Sequence, residues 1–582
     1  MSTENIQKNI PRIGGHILAD GLVAQGVDTI FGVPGESYLA VLDGLYPHGD
    51  KVQFVICRQE GGAGFMADAY AKLTGKPGVL MVTRGPGASN AAIAIHSAHQ
   101  DSVPLVVLIG QVGNDFVERE AFQEVDYRRM FGQMTKWVTQ IDRAERVPEY
   151  LAQAFQKALS GRMGPVVLAL PEDMLTATAS VADAKKVMPI RADVSAQQIE
   201  QFSALLAAAK NPFIILGGSG WTAQACSHIR QFLEANNLAA GCAFRFQDLL
   251  SNHHTNYAGD VGIGINPKLS ARIKASDLVI AIGPLLGEMT TSGYTLFEGT
   301  NPQQKLIHVH AGIDSLGRVY QADLMINAGM PEIAEALSDV AVGDTAWLSA
   351  QLQNTQSARA DYEAWQTQPP IARDTASAKL DIWQCMQVLA KIAPKDTIIT
   401  NGAGNFATWA HRFFRYESLE TGRTQLAPTS GSMGYGIPAA VAAAIALKVQ
   451  DKTVICFAGD GDFLMTGQEI STAHQAGVGF VVIVFNNGMY GTIRMHQERE
   501  FPARVSGTQL KNPSFTKYAE AFGGSGELVE TTDEFEPALV RALLFAKSNN
   551  CVALIELKMN PEAITPNASI EQIRANAQKS GK

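Results

Sequence analysis

Cysteine is scarce in this chain, with six residues among 582. The six are far apart and form no Cys-x-x-Cys pair: Cys57, Cys226, Cys242, Cys385, Cys456 and Cys551. A thiolate metal site or a compact disulfide framework needs closely spaced cysteines. We therefore expect buried free thiols in a reducing, cytosolic environment.

Long apolar runs and strongly charged stretches are also missing. Nowhere do 18 apolar residues follow one another, and the N-terminal segment lacks the continuous apolar region of a secretion signal. The net charge of −9 is thinly spread, without a basic stripe or an acidic tail. These features argue against a membrane span and against a nucleic-acid surface. We expect a soluble, cytoplasmic protein with a small-molecule partner.

Strands and helices alternate along most of the sequence, which is too long for a single core. The strands are short, apolar and bounded by Gly or Pro turns, as in parallel sheets covered on both faces. We predict an α/β fold of three doubly wound parallel-sheet domains, at residues 1–185, 192–345 and 380–562, with a tail to 582. Strands are expected near residues 29–35, 52–60, 78–87, 104–111, 165–173, 211–220, 277–288, 305–312, 453–459 and 480–485.

Two stretches between these domains are predicted to be linkers. Residues 176–191 are charged and less apolar than the domains that they join. Residues 349–379 are rich in Gln, Ala, Thr and charge and contain Pro369-Pro370. The polar end of the chain, from Asn567 onward, is compatible with either a helix or a loose tail.

The most informative stretch runs from Thr453 to Asn487. An apolar strand leads into Gly-Asp-Gly, a helix follows, and a second apolar strand ends in Asn-Asn. The 27 residues from Asp460 to Asn487 suit a right-handed crossover between neighbouring parallel strands, so both side chains are expected at one edge of a sheet. Two oxygen ligands beside a helix N-terminus predict a site for Mg²⁺ and a diphosphate.

The first and third domains are predicted to be diverged copies of one fold. A helix, a strand and a Gly-Pro-Gly turn fill the 25 residues from Glu60 to Gly85. A helix, a strand and Gly-Asp-Gly fill the same interval from Gly434 to Gly459. Two such copies can share a cleft, and each can contribute different functional groups to it.

Glu60 follows a strand and precedes a run of glycine and apolar residues. One interpretation is a carboxylate that the helix dipole favours at a helix N-terminus. The alternative is a carboxyl whose pKa is raised by its surroundings, so that it exchanges a proton with a bound ring nitrogen.

Taken together, these motifs resemble the thiamine diphosphate enzymes of the acetolactate synthase, pyruvate decarboxylase and benzoylformate decarboxylase group. The similarity covers nearly the whole chain and rests on four segments in the family's order: residues 60–90, AFQE at 121–124, GSMGYGIP at 431–438, and GDG at 459–461 with NN at 486–487. It implies pyrimidine-binding, central Rossmann-like and diphosphate-binding domains, and thiamine diphosphate and Mg²⁺ as cofactors.

The resemblance also implies roles for residues of the third domain. The side chains of Asp460 and Asn487 and the backbone carbonyl of Met489 would bind Mg²⁺. Other residues of the same motifs would contact the cofactor: Gly459, Gly461 and Asp462 at the diphosphate, Tyr490 beside them, Met433 as a wedge beneath the bent cofactor, and Gly431 as a carbonyl acceptor for the aminopyrimidine.

In the first domain, the resemblance implies that Glu60, supplied by a partner subunit, protonates the pyrimidine ring. Phe122 and Gln123 match residues that line the substrate side of the site. His96 and His99 follow the Gly-Pro-Gly turn and are candidates for proton transfer or substrate binding, although solvated or structurally satisfied histidines are the more ordinary interpretation. The His253-His254 pair is expected to make contacts unrelated to the cofactor.

Two departures from the acetolactate synthase pattern narrow the assignment. The acceptor pocket of those enzymes has a Met and a Trp where this chain has Thr492 and His496, which leaves the acceptor open. The GxRFDDR-like segment of the FAD-containing members is GPLLGEM at 283–289, so bound FAD is less expected than its absence. The GGSG turn at 217–220 continues into no GxGxxG motif, and a structural turn is the simpler interpretation.

The implied function is decarboxylation of a 2-keto acid, followed by attack of the resulting enamine on a carbonyl acceptor with formation of a C–C bond. A simple decarboxylase that releases an aldehyde, a coenzyme A thioester lyase and a non-catalytic thiamine diphosphate-binding protein are the alternatives. Retention of Glu60 together with Asp460 and Asn487 argues against the last. The family implies at least a homodimer and favours a homotetramer.

Overall fold

The computed structural model describes residues 10–369 and 379–581 and divides at Ile190 and Arg191 into two compact units. No helix within these described ranges is long and apolar enough to cross a membrane. The first unit holds one parallel sheet and the second holds two, so the chain contains three α/β domains. This confirms the predicted fold class.

The first unit is built around a six-stranded parallel sheet. Its strands are β2 (Thr29–Gly32), β3 (Gln53–Ile56), β4 (Gly78–Val82), β5 (Leu105–Gln111), β6 (Trp137–Gln140) and β7 (Pro165–Pro171). They lie in the order β3-β2-β4-β5-β7-β6. A short antiparallel pair joins β1 (Arg12–Ile13) to β8 (Thr178–Ala179). The helices are Gly14–Gln25, Leu39–Leu45, Glu60–Thr74, Pro86–Asp101, Tyr127–Phe131, Val147–Leu159 and Glu172–Thr176.

The second unit begins with the central domain and its own six-stranded parallel sheet. The strands are β9 (Pro212–Leu216), β10 (Ala240–Ala243), β11 (Tyr257–Val261), β12 (Leu278–Ile282), β13 (Lys305–His310) and β14 (Leu324–Asn327). Their order, β11-β10-β9-β12-β13-β14, is that of the Rossmann fold. The helices are Ala196–Ala208, Ala223–Ala235, Pro267–Ala275, Met330–Ser338 and Thr345–Trp365.

The third sheet completes the second unit. Its strands are β15 (Ile398–Asn401), β16 (Gln425–Leu426), β17 (Val454–Gly459), β18 (Val481–Asn486), β19 (Ser525–Val529) and β20 (Ala553–Lys558), in the order β16-β15-β17-β18-β20-β19. The helices are Ile382–Ile392, Ala407–Phe413, Gly436–Ala446, Asp460–Thr466, Ile470–Ala476, Gly491–Glu500, Phe515–Ala521, Thr532–Asn549 and Ile570–Lys579.

The first and third sheets have the same strand order, which supports the internal correspondence that the sequence predicted. Helix Glu60–Thr74 leads into β4, and helix Gly436–Ala446 leads into β17. Each of these strands is the third across its own sheet. The Gly-Pro-Gly and Gly-Asp-Gly turns therefore occupy equivalent places in two copies of one topology.

Unbroken apolar strands are explained by cores on both faces of each sheet. In β9, Ile214 and Leu216 enter one hydrophobic cluster, whereas Phe213 and Ile215 enter another. Successive side chains of a strand point to opposite faces, so both faces of the central sheet are covered. Burying every side chain in this way favours apolar residues at each position of the strand.

The linker prediction for residues 349–379 is wrong over its first half. Residues Thr345–Trp365 form a helix, and its Ala358 and Tyr362 are buried against the central domain. Tyr362 packs edge-to-face on Tyr257 of β11, with ring centroids 5.1 Å apart. Gln- and Ala-rich composition is typical of helices as well as of linkers, and tertiary packing decides between them. Pro370 lies outside the described residues.

The structure also defines the conformation of the first predicted linker and of the C-terminal segment. Residues 180–191 contain no helix or strand, in agreement with the first linker. Helix Ile570–Lys579 occupies the C-terminal segment and begins with a capping box formed by Ser569 and Gln572. Ten of the described strands were not predicted from the sequence: β1, β6, β8, β10, β11, β14, β15, β16, β19 and β20.

Candidate active site

Asp460 and Asn487 lie at the carboxyl ends of neighbouring parallel strands, as predicted. Gly459, the last residue of β17, pairs with Phe485 of β18. Asp460 then opens helix Asp460–Thr466, and its side chain is almost completely buried. One carboxylate oxygen accepts from Gly461 N (2.9 Å) and the other from Gly488 N (2.8 Å), so the carboxylate ties the two strand ends together.

Asn512 is a third polar residue at this corner that the sequence did not reveal. Its Nδ2 donates to Asp460 Oδ2 (2.8 Å) and to Asn486 Oδ1 (3.0 Å). Its Oδ1 is buried and has no hydrogen-bond partner among the residues that the structure describes. A buried acceptor oxygen without a donor is the kind of group that a bound cation or water satisfies.

The charges and donors at this corner fit a hard cation. Burial raises the pKa of the Asp460 carboxyl, with hydrogen bonds from Asn512 and Gly461 opposing that shift, so a cation beside it would favour the ionised form. Asn487 and Met489 line the same cavity, and they offer amide and carbonyl oxygens. Mg²⁺ binds protein through few oxygen ligands and keeps waters or phosphates, which this sparse set allows.

The side chain of Asp462 has a structural role, and the contact of this residue with the diphosphate stays a prediction. Its carboxylate is buried, and Oδ1 accepts from Gly434 N (2.9 Å) and Ala403 N (3.1 Å). A Cβ on Gly402 would lie 2.1 Å from the same oxygen. Burial raises the pKa of Asp462 to about 7. The side chain therefore joins the 402–405 loop and the 431–434 turn to the Gly-Asp-Gly segment.

A cavity of about 240 Å³ brings the candidate cofactor residues together. Its walls include Gly431, Met433, Gly459, Asp460, Gly461, Asp462, Asn487, Met489 and Tyr490. Gly431 has φ +67°, a conformation that suits glycine. A Cβ on Gly461 would lie 2.5 Å from the Tyr490 ring, so only glycine fits against that ring without displacing it.

A larger cavity of about 680 Å³ adjoins the first within the same unit. Both are lined by Gly404, Asn405, Gly431 and Thr492. Thr492 Oγ1 accepts from Asn405 N (3.0 Å) and donates to Asn405 Oδ1 (3.1 Å), which fixes the Asn405 side chain at the junction. His496 is exposed on the wall of the larger cavity. The two positions that departed from the family pattern therefore lie beside open space.

Glu60, in the first unit, is the first residue of helix Glu60–Thr74. The Gln59 side chain caps that helix by accepting from Gly62 N (2.9 Å), and Glu60 Oε2 accepts from Asn90 Nδ2 (2.9 Å). A Cβ on Gly87 would lie 3.3 Å from Glu60 Oε1, so the Gly-Pro-Gly turn approaches the carboxylate closely. Glu60 is half-buried, so these contacts position its carboxylate while part of the residue stays exposed to solvent.

Comparison with known proteins identifies the family. The chain matches the N-terminal TPP binding domain of thiamine pyrophosphate enzymes at residues 12–130, the central domain at 199–337 and the C-terminal TPP binding domain at 402–557. It is 31% identical to the acetolactate synthase isozyme 2 large subunit of Escherichia coli, over 90% of this chain and 92% of that protein. The chain belongs to the thiamine pyrophosphate enzyme family. The large subunit from Corynebacterium glutamicum is also 31% identical, over 91% of this chain and 84% of that protein.

Membership in the thiamine pyrophosphate enzyme family confirms the resemblance and identifies thiamine diphosphate as the cofactor of an acetolactate synthase-like carboligase. The candidate pyrimidine and diphosphate residues fall inside the matched N-terminal and C-terminal domains, respectively. Within the described ranges, no cluster of three or more His, Cys, Asp or Glu side chains is arranged to hold a metal. A mixed set of carboxylate, amide and carbonyl oxygens is what the Asp460 corner offers instead.

Phe122 and Gln123 lie on a strained loop in the N-terminal domain of this family member. Phe122 is 72% exposed, and its carbonyl accepts from Arg84 Nε (3.3 Å). Three non-glycine residues of the loop have positive φ: Glu118, Glu120 and Gln123. The Glu124 carboxylate stabilises the loop by accepting hydrogen bonds from Glu118 N (2.7 Å) and Ala121 N (3.0 Å). Strain held in this way is common beside functional sites. The sequence alone did not predict this role of Glu124.

His96 and His99 lie farther along helix Pro86–Asp101 than Asn90, the residue that contacts Glu60. At 1.5 Å per residue, His96 is about 9 Å and His99 about 13 Å along the axis from Asn90. His99 belongs to the last helical turn, near the start of β5. The amino ends of strands are the side away from ligands in this fold class. The proposed roles of His96 and His99 in proton transfer or substrate binding stay predictions.

The glycine turn of the central domain packs closely against a neighbouring turn. A Cβ on Gly218 would lie 1.9 Å from Gly283 O, and one on Gly283 would lie 2.2 Å from Gly217 O. Trp221 Nε1 donates to Gly217 O (2.7 Å). Gly218 and Gly283 are thus needed because backbone packs against backbone at these two positions.

The His253-His254 pair makes contacts away from both cavities. His254 Nε2 lies 2.9 Å from Glu234, and His253 Nε2 lies 3.8 Å from Glu417. Burial lowers the pKa of His253. These contacts agree with the expectation that the pair is unrelated to the cofactor.

Proposed function

We propose that this chain uses thiamine diphosphate and Mg²⁺ to decarboxylate a 2-keto acid and to join the remaining acyl group to a carbonyl acceptor. When the acceptor is an aldehyde, the products are CO₂ and a 2-hydroxy ketone, which together contain all atoms of the two substrates. The observation that supports this most directly is the pair of adjoining cavities, one at the Asp460 corner and one beyond Gly431 and Thr492.

Thiamine diphosphate, when bound, would supply a nucleophilic carbon for the keto group and an electron sink for the bonding pair that departing CO₂ leaves behind. Asp460, Asn487 and the Met489 carbonyl hold Mg²⁺ in this proposal. Gly431 and Met433, which line the same cavity, orient the cofactor in this proposal. The chain thus contributes binding, orientation and the exclusion of water.

The larger cavity favours carboligation over release of a free aldehyde. An aldehyde-releasing enzyme needs a proton donor near the reacting carbon but no second carbonyl site. Here about 680 Å³ of space adjoins the cofactor cavity through Asn405 and Thr492. That space would hold a second carbonyl compound close to the reacting centre, where proximity alone accelerates bond formation.

Glu60 is proposed to exchange a proton with the pyrimidine ring of the cofactor. The Asn90 hydrogen bond and the Gly87 turn fix its carboxylate at the start of a helix. In keeping with the family, we propose that Glu60 serves the diphosphate site of a partner subunit, in a homodimer or homotetramer. Light scattering combined with activity assays tests this, and an active monomer would contradict it.

A flavin is not part of the proposed function. The missing GxGxxG motif after β9 and the GPLLGEM segment at 283–289 argue against a bound dinucleotide. An absorption spectrum of the purified protein answers the question directly, because bound FAD gives strong visible bands.

A product screen tests the reaction itself. Pyruvate, glyoxylate, oxaloacetate or a longer 2-keto acid is supplied with Mg²⁺, thiamine diphosphate and an aldehyde, and products are identified by mass spectrometry. Release of CO₂ together with a new C–C bond is the expected result. CO₂ with free aldehyde alone would indicate a simple decarboxylase, and no CO₂ from any keto acid would refute the proposal.

A further inference from the structure

The larger cavity contains polar groups that the proposed reaction leaves unused. Asp260 of β11 lines it, and its Oδ1 is buried without a hydrogen-bond partner in the described part of the chain. His411 of helix Ala407–Phe413 also lines the cavity, and its Nε2 is likewise buried without a hydrogen-bond partner among the described residues. Buried polar atoms are normally paired, so these two atoms point to a polar ligand.

His411 is held so that only Nε2 remains for such a ligand. Gln425 Oε1 accepts from Gln247 N (2.8 Å), and Gln247 Nε2 donates to the His411 carbonyl (2.7 Å), which orients both amides. His411 Nδ1 then lies 2.9 Å from Gln247 Oε1 and 3.0 Å from Gln425 Nε2, so it is satisfied in either tautomer. Burial lowers the pKa of His411 well below its usual value, and the ring is neutral.

The charged side chain that acts on Asp260 is that of Arg245. Burial raises the pKa of the Asp260 carboxyl to about 7, although Arg245 opposes the shift. Arg245 has φ +67°, and its guanidinium donates to Gly402 O (3.1 Å) and lies 4.8 Å from the Phe244 ring centroid. A non-glycine residue held in this conformation at a cavity wall is costly to maintain and is typical of functional sites.

The rest of the wall combines aromatic surface with further polar groups. Phe244, Tyr362 and Trp365 contribute rings, and Arg412 stacks on Trp365 at 3.6 Å from its ring centroid. A volume of about 680 Å³ falls within the roughly 300–1,000 Å³ of small-molecule sites. It is far larger than a two- or three-carbon acceptor requires.

We propose that this cavity is the acceptor subsite and that it selects a hydroxylated carbonyl compound, a hydroxyaldehyde or hydroxyketone of about three to six carbons. Its hydroxyl groups would bind Asp260 Oδ1 and His411 Nε2. The inference rests on the proposed function and names the acceptor class for it.

A hydroxyl group suits these two atoms better than the alternatives do. It can donate to the Asp260 oxygen and can either donate to or accept from a neutral imidazole. An alkyl chain would leave both atoms buried and unpaired, which a site built for hydroxyls penalises. A carboxylate would bring a second acceptor oxygen against that of Asp260.

Acceptors of equal length that differ in hydroxylation test the selection. Pyruvate is the donor for the holoenzyme, and glyceraldehyde is compared with propanal, erythrose with butanal, and both pairs with pyruvate as acceptor. We expect kcat/KM to be at least about tenfold higher for the hydroxylated member of each pair. Equal use of propanal and glyceraldehyde, or a preference for pyruvate, would overturn the inference.

Variants connect the preference to the named atoms. Asp260→Leu is expected to bring the ratio of kcat/KM for glyceraldehyde to that for propanal close to one. His411→Phe is expected to lower this ratio as well. Asp339→Leu, at an exposed carboxylate of the same domain, is the matched control and should keep the wild-type ratio. A full preference in folded Asp260→Leu would refute the role of Asp260. If that variant does not fold, Asp260→Asn and His411→Phe decide the question.

Calorimetric titration provides a readout independent of catalysis. Erythritol carries hydroxyls but no carbonyl, and it should bind the holoenzyme more tightly than 1-butanol and lose affinity in Asp260→Asn. Normal carboligation without erythritol binding would reject the acceptor class and leave the proposed function standing. Erythritol binding without CO₂ release from any keto acid would reject the proposed function instead.

Discussion

Replacing Asp462 by Asn tests whether this buried carboxylate is a structural clamp. Oδ1 of Asp462 accepts both backbone bonds, from Ala403 N and Gly434 N. An Asn side chain has the same shape and keeps an acceptor oxygen at that place, so both bonds can persist. What Asn removes is a titratable group whose charge is costly in a buried position.

The size and sign of the effect follow from the pKa of Asp462. Burial raises it from 3.8 to about 7, and about three pKa units correspond to roughly 4 kcal/mol. Between these values the folded protein binds a proton that the unfolded chain does not. The free energy of unfolding therefore falls as pH rises from about 4 to 7, and the full cost is present above pH 7. Asp462→Asn does not titrate and should gain stability relative to wild type across this window.

Thermal unfolding of the apoprotein at a series of pH values measures this difference. The melting temperature of Asp462→Asn minus that of wild type should rise by several degrees between pH 4 and 8. Asp451→Asn, at an exposed carboxylate paired with Lys547, is the control and should show no such trend. A pH-independent difference for Asp462→Asn would refute the reasoning. Asp462→Ala leaves two N–H groups unpaired and should cost about 2–5 kcal/mol.

Three further predictions concern the cofactor site and its support. Glu60→Gln should retain thiamine diphosphate in a binding assay yet lower kcat by orders of magnitude, and unchanged kcat would remove Glu60 from the proton exchange. Asp460→Ala should weaken Mg²⁺-dependent cofactor retention, measured by calorimetry, and normal retention would contradict the ligand assignment. Glu498 is buried and accepts from Arg574, which lowers its pKa to about 2. Its stabilisation of the C-terminal helix should be present above about pH 4.5 and lost as pH falls toward 2, and Glu498→Gln should expose residues 570–579 to hydrogen exchange at neutral pH.

Local pattern was sufficient to predict the site's central geometry. The apolar strands that precede Gly-Asp-Gly and Asn-Asn predicted a parallel crossover that brings Asp460 beside Asn487. The equal spacing of Glu60 to Gly85 and Gly434 to Gly459 predicted a repeated topology, and the matching strand orders of the two sheets support it. In each case, the decisive residues lie within about 30 positions of one another.

Short or polar elements escaped prediction because their conformation depends on distant partners. Helix Thr345–Trp365 has a weak apolar pattern and is stabilised by packing on β11, where its Tyr362 contacts Tyr257, 105 residues earlier in the chain. Strands such as β10 and β16 have few residues and acquire their identity only from the neighbours with which they pair.

The sequence by itself determined the family, the cofactor and the strand ends that carry Asp460 and Asn487, because short-range pattern and motif order are sufficient for these. Only the tertiary structure decided what Asp462 and Asn512 do, since their partners come from separate loops of the third domain. It also placed Asp260 and His411, which lie 151 residues apart, on the wall of one cavity. Burial and hydrogen-bond pairing are properties of the assembled fold, and they are the observations on which the proposed acceptor subsite rests.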